Sequence, residues 1–288
     1  MPLSMILATG LYALEKFGLV FPNYFFATFS IDLRGIVILS IVFLCFGLVI
    51  AKPKFWEENY QTFHFSFTLT FLLGAWFLYL SQPLTYLSLI REDGPIEFLE
   101  ALAFALASFL AWQLSRRMPL YFHQAAKQAK IAQVLLLLAS LALALIVGEE
   151  LSWGQRIFGF ATPENIELIN RQGETNLHNL ESVWPLVYWS YLILGLLGST
   201  LWIGRLNLAN FLQKHQSLKQ WSKLCVPGAY LFLNFALISL YVLLRFRYGV
   251  WRFAMMEELS ELFLALGLCL HLFENLKSHR HLVSFKQK

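Results

Sequence analysis

Charge is what this chain has least of. Only 14% of its 288 residues are Asp, Glu, Lys or Arg, where a soluble domain carries roughly 25%, and the shortfall excludes a water-soluble globule. Cysteine is scarce as well. Cys45, Cys225 and Cys269 are odd in number and lie in or at the ends of apolar runs, so neither a disulfide framework nor a CxxC metal site can be assembled. A basic stripe with interleaved aromatics is missing too, because the net charge of +4 is scattered among connections. That excludes nucleic acid as a partner. HExxH and the ExxH pairs of di-iron bundles are also absent, as are repeats, low-complexity tracts and any soluble domain.

What the chain has instead is hydrophobic residues, 58% of the total. They form runs of about 20 residues, enough to cross roughly 30 Å of hydrocarbon as helix. In lipid only helices and closed barrels satisfy the backbone, and continuous rather than alternating runs select helices. The expectation is an all-α polytopic transmembrane helical bundle with seven spans: Ile36 to Ile50, Phe63 to Tyr79, Pro95 to Leu114, Ile131 to Val147, Pro185 to Ile203, Val226 to Leu244, and Trp251 to Phe273. Leu3 to Phe21 holds Glu15 and Lys16 and ends at Pro22, which fits an interfacial amphipathic helix or an eighth, N-terminal span. A signal peptide fits poorly, since no basic segment precedes the apolar part. One transmembrane domain, 1–288, is expected, with the extra or amphipathic helix in 1–30, the bundle in 31–275 and a cytoplasmic tail in 276–288.

Alternate connections are basic. Lys52 and Lys54, then Arg116, Arg117, Lys127 and Lys130, then Arg205, Lys214, Lys219 and Lys223, then Lys277, Arg280, Lys286 and Lys288 mark one side, which the positive-inside rule makes cytoplasmic. The C-terminus is therefore expected inside. Arg245, Arg247 and Arg252 weaken the contrast on the other side.

The acids gather on that outer side. Gly94-Pro95 signals a helix start, after which Glu97 and Glu100 fall at i and i+3 on one face. Glu97 suits a helix N-terminus through the dipole, whereas Glu100 lies deeper. Glu149 and Glu150 end the fourth span, where the dipole disfavours carboxylates and some cation, metal or proton must compensate. Arg156, about two turns on if the helix continues through Ser152 and Trp153, is a candidate partner. Thr162-Pro163 opens a short surface helix that Gly173 stops, and Glu174 could orient His178 if that piece is helical. Glu257, Glu258 and Glu261 start the last span, with Glu261 among Leu262, Phe263 and Leu264. Intramembrane acids are a functional signal by default; salt bridges, dipole effects and solvated loops are the structural alternatives.

Several Glu and one His form a hard-to-borderline ligand set suited to zinc, manganese or iron. The reading takes Glu150, His178 and Glu261 as metal ligands, with Glu174, Glu257 and Glu258 as further candidates. Glu97, Glu100 and Glu149 are the catalytic carboxylates, Glu97 or Glu100 serving as base or further ligand, and Arg156 is an anion clamp for phosphate or a developing oxyanion. This predicts a membrane-embedded, metal-dependent hydrolase or transferase acting on a lipid or lipid-linked substrate at the outer face. Two other classes stay open. One is a proton- or cation-coupled transporter using the buried acids, though neither an inverted repeat nor paired broken helices are visible. The other is a non-catalytic assembly or accessory protein whose acidic surface docks a partner or takes up a cofactor such as haem.

Two pieces of sequence resemble the Glu-Glu-x-x-x-Arg and His-x-x-x-Asn motifs of CAAX-type intramembrane proteases. Arg156 comes two residues too late, however, and His271 to Asn275 falls at the cytoplasmic end, so that family's roles do not transfer. Taken together, Glu92-Asp93-Gly94-x-x-Glu97, Gly148-Glu149-Glu150-Leu151-Ser152-Trp153-Gly154-Gln155-Arg156 and Gln172-Gly173-Glu174-Thr175-Asn176-Leu177-His178-Asn179 resemble bacterial multi-pass inner-membrane proteins of unassigned function. The likeness covers spans three to five and their outer loops, and it implies a membrane location without an activity.

Overall fold

A computed structural model describes residues 59–91, 94–122, 125–248 and 256–284. Its long helices are α1 (Asn59–Ser81), α2 (Pro95–Ser115), α3 (Ala126–Glu150), α4 (Trp184–Asn207), α5 (Gln216–Cys225), α6 (Phe232–Tyr248) and α7 (Glu257–Ser284). Among the described residues six helical stretches are long and apolar enough to cross a membrane: Gln61–Tyr79, Leu84–Ser115, Ala126–Glu150, Trp184–Asn207, Gln216–Arg247 and Glu257–Ser278. The described residues form helices and no strand, and their apolar spans make the chain an integral membrane protein. Six of the seven expected spans coincide with α1, α2, α3, α4, α6 and α7; the expected span at Ile36 to Ile50 and the segment Leu3 to Phe21 lie outside the described residues. The chain divides into two units, Met1–Pro83, which contains α1, and Leu84–Lys288, which contains α2 to α7.

The second unit is built on small residues. Ala103, Ala107 and Ala111 of α2 are buried against Ala129, Ala132 and Leu136 of α3 and Ala265 and Cys269 of α7. In lipid no hydrophobic gain drives helices together, so close backbone approach and interhelical hydrogen bonds must do it. Ser108 and Ser140 supply such bonds between α2 and α3, each hydroxyl donating to the other's carbonyl at 2.8 and 2.9 Å. Leu135, Leu138, Leu141 and Leu145 of α3 are exposed, as a lipid-facing stripe should be. Between α4 and α6 the small residues are Gly195 and Gly198. A Cβ on Gly198 would stand 2.3 Å from the Phe235 ring, and one on Gly195 2.8 Å from the Phe235 carbonyl oxygen.

This packing sets the ends of the helices. The N-termini of α2 and α7 and the C-terminus of α3 carry the acids, and Trp184 at the start of α4 and Arg245 at the end of α6 line the same cavity as those acids, while Arg116, Arg117, Lys127, Arg205 and the basic helix α5 belong to the opposite ends.

Candidate functional site

α2 starts where the sequence indicates, with Gly94 as N-cap and Pro95 first in the helix. Glycine is required at 94 because a Cβ there would lie 2.4 Å from the Arg91 carbonyl oxygen. The start fixes Glu97 and Glu100 on the inward face. Both are buried, and Glu100 is wholly inaccessible. Its carboxylate oxygens have no hydrogen-bond partner, an exception to the rule that buried polar groups are satisfied.

α3 ends at Glu150 rather than continuing through Ser152 and Trp153. Ser152 (φ 44), Trp153 (φ 54) and Gly154 (φ 81) all adopt left-handed backbone, unusual for the two non-glycine residues, and the chain reverses direction. The helical spacing that would bring Arg156 two turns beyond Glu149 therefore does not exist. Arg156 belongs to a single turn, Gln155–Phe158, and its side chain lies outside what is described.

The reversal is held by its own side chains. Trp153 Nε1 donates to Glu149 at 2.7 Å, folding the indole over Gly148, where a Cβ would come within 2.9 Å of it. The other Glu149 oxygen accepts the backbone N–H groups of Leu177 and His178 at 2.5 and 2.9 Å. His178 Nδ1 lies 3.4 Å from the same oxygen. Here is the compensation that a carboxylate at a helix C-terminus demands: three N–H donors and an imidazole, not Arg156. Glu149 thus faces the loop, and its neighbour Glu150, about 100° around the helix, lines a cavity.

The loop is cross-linked further. Ser152 Oγ donates to Glu174 at 2.5 Å, and Asn176 Nδ2 donates to the same carboxylate oxygen at 3.0 Å. The Asn170 amide donates to Asn176 at 2.8 Å, and Gln155 joins Thr162 at 2.6 Å to the Thr175 amide at 2.8 Å. The helix expected from Thr162 is one turn, Glu164–Glu167, and the residues around His178 form turns instead of a helix. Glu174 accordingly engages Ser152 and Asn176, while His178 is positioned by Glu149.

The cavity has a volume of about 660 Å³, within the range of ligand sites. Glu97, Glu150, Glu174, His178, Glu257, Glu258 and Glu261 all line it, so acids from α2, α3 and α7 and a loop histidine meet there. Beside it, Glu100, Glu258 and Glu261 place one carboxylate oxygen each within 4.8 Å of one another. Among the described residues this is the trio whose spacing could hold a metal ion; of the expected ligands Glu150, His178 and Glu261 it contains Glu261, joined by Glu258 and Glu100, both among the further candidates expected from the sequence.

Sequence reasoning missed the other wall. Arg245 from the last turn of α6 is buried, and its Nη1 reaches both Glu257 oxygens at 3.0 and 2.9 Å. It also donates to the Tyr241 hydroxyl, and Tyr188 donates to Glu257. The Arg245 guanidinium lies 4.1 Å from the Tyr188 ring centre and 5.6 Å from that of Trp184, over which Arg171 also sits at 4.9 Å. In the sequence these look like interfacial aromatics and a charge that blurs the sidedness. The usable signal is an arginine one turn from the end of an apolar helix, on the side where the acids cluster. No protein-family model, curated protein or solved structure matches the chain.

Proposed function

We propose that the chain is a membrane-embedded, divalent-metal-dependent hydrolase or transferase acting on a lipid or lipid-linked substrate at the outer face, which in a bacterial inner membrane is periplasmic. The observation that carries this reading is Glu100. A fully buried carboxylate with no hydrogen-bond partner, within 4.8 Å of two more carboxylates, is strongly unfavourable unless a cation or protons neutralise the group. Three oxygen donors favour the harder cations, manganese or magnesium, over zinc.

A cation bound there supplies a Lewis acid and an acidified water. Glu258 and Glu261 belong both to the trio and to the cavity wall, so a bound substrate would meet the ion from the open side. Glu150 and His178 are the residues placed to take or give a proton. The concentration of Lys and Arg at the opposite helix ends supports an outer location. Leu87, Ile90 and Val187 supply an apolar part of the lining, as a substrate with a lipid chain requires.

Purified full-length protein titrated with Mn²⁺ should bind one equivalent. Glu100→Gln or Glu258→Gln should weaken binding on the order of 100-fold, while Glu149→Gln retains it. Wild-type protein that takes up no Mn²⁺, Mg²⁺ or Zn²⁺ would end the reading. If such protein also conducted protons in liposomes in a way that Glu261→Gln abolished, the trio would be a proton site of a transporter.

A further inference from the structure

The cavity is chemically two-sided. Its wall carries the carboxylates of Glu258 and Glu261, which form the trio with Glu100 beside the cavity, and also two guanidinium groups set against aromatic rings. Arg171 and Arg245 share the Trp184 indole at 4.9 and 5.6 Å. Such stacking orients an arginine while leaving its edge donors available. Arg245 is neutralised by Glu257 through Nη1, yet its buried Nε has no partner. Arg171 makes no ion pair among the described residues, although the cavity it lines is crowded with acids. Arg171 is exposed and keeps its donors open to a ligand, whereas the buried Arg245 N–H left unsatisfied beside it is unfavourable in the empty protein.

We infer that the cavity receives a phosphate or diphosphate ester, with its anionic oxygens bridging the Arg171 and Arg245 wall and the cation held by Glu100, Glu258 and Glu261. This deepens the function proposed above and rests on it. Several oxygens on one phosphorus can meet a metal ion and a planar guanidinium at once, which a carboxylate substrate does less well. A cationic headgroup fits poorly, because the faces of Tyr188 and Trp184 that would stack on it already carry arginines. The volume of about 660 Å³ accommodates a diphosphate and the first part of a chain. The apolar lining by Leu87, Ile90 and Val187 gives that chain a wall.

The test uses full-length protein in detergent, with Mn²⁺, pyrophosphate and geranyl diphosphate as probes in calorimetry. Pyrophosphate should bind the Mn²⁺-loaded protein and not the metal-free one. Arg171→Ala should weaken that step by about tenfold or more without changing Mn²⁺ affinity, which also shows that the variant is folded. Geranyl diphosphate binding more tightly than pyrophosphate assigns the anion to a lipid, and equal affinity assigns it to a free phosphate compound; both support the inference. Intact Mn²⁺ binding with no pyrophosphate binding, or with pyrophosphate binding that Arg171→Ala leaves unchanged, overturns it and leaves the metal site standing. Absence of Mn²⁺ binding overturns the metal reading itself, and this inference with it.

Discussion

The two ends of the α2 to α7 bundle treat buried polarity in opposite ways. At the basic end polar side chains are used to tie elements together. Tyr121 and Gln220 exchange hydrogen bonds with each other's carbonyls at 3.1 and 2.6 Å. His271 Nε2 donates to the Leu224 carbonyl at 2.8 Å, pinning α5 to α7, and Tyr230 donates to Glu274 at 3.0 Å. At the acid end Glu100 and the Arg245 Nε are buried without partners, next to a cavity. Single atoms go unpaired at the basic end too, His271 Nδ1 and Gln128 Oε1, but among the described residues a whole carboxylate, that of Glu100, is left so at the acid end. The His271-to-Asn275 pattern belongs to the packing of the basic end, since His271 Nε2 is tied to Leu224 and Asn275 Nδ2 donates back to the His271 carbonyl at 3.0 Å.

The largest effect should come from breaking the Arg245–Glu257 ion pair at the acid end. Arg245→Met would leave Glu257 without its partner and should destabilise the protein by about 3–5 kcal/mol, measured by SDS-induced unfolding. Adding Glu257→Gln should restore most of the loss. The sharpest contrast between the ends comes next. Glu100→Leu should leave stability unchanged or raise it by about 1–4 kcal/mol while abolishing Mn²⁺ binding. His271→Leu, which strands the Leu224 carbonyl, should cost about 1–3 kcal/mol and leave Mn²⁺ binding intact. Equal losses of stability in both variants would erase the difference between the two ends.

Helix positions were legible because α1, α2, α3, α4, α6 and α7 are each a continuous apolar run, and length alone decides such runs in a bilayer. The gathering of Glu97, Glu150, His178 and Glu261 was legible too, because loop charge orders the helix ends. The division of labour within the site was not. Glu149 and Glu150 look alike in sequence, and only the left-handed turn at Ser152 and Trp153 brings the Leu177 and His178 amides onto the first of them. Arg245, Tyr188 and Trp184 acquire meaning through contacts among α4, α6 and α7, which no local pattern encodes. The trio of Glu100, Glu258 and Glu261 depends likewise on the packing of α2 against α7.

The pin beneath the loop should matter less than the ion pair. Glu149→Gln keeps the Trp153 contact in reach but loses the charge that holds two amides, at about 1.5–3 kcal/mol. The loss should be local: faster hydrogen exchange at Leu177 and His178, with α2 and α7 unaffected. Exchange that rises throughout the bundle would mean that Glu149 supports the core and not the loop.

The smallest effect is a pH dependence of the same contact. Burial pulls the His178 imidazole down, but the Glu149 carboxylate 3.4 Å from Nδ1 and the charges of Glu150 and Glu174 outweigh it, leaving His178 above its ordinary 6.5. Folded protein therefore holds this proton more tightly than unfolded protein does. The resulting stabilisation is complete below about pH 6.5 and is lost as pH rises through the higher folded value. Protection of the 170–183 amides, corrected for intrinsic exchange, should fall between pH 6 and pH 9 by roughly the worth of one partly exposed ion pair, ~1 kcal/mol or less. His178→Gln should flatten the slope. At the other end the Tyr121 phenol, pushed up to about 12 chiefly by burial, keeps its proton over this window, so the Tyr121 to Gln220 link should not change. A slope of the opposite sign in the loop would place neutral His178 in the folded state and remove the imidazolium from the account of how Glu149 is compensated.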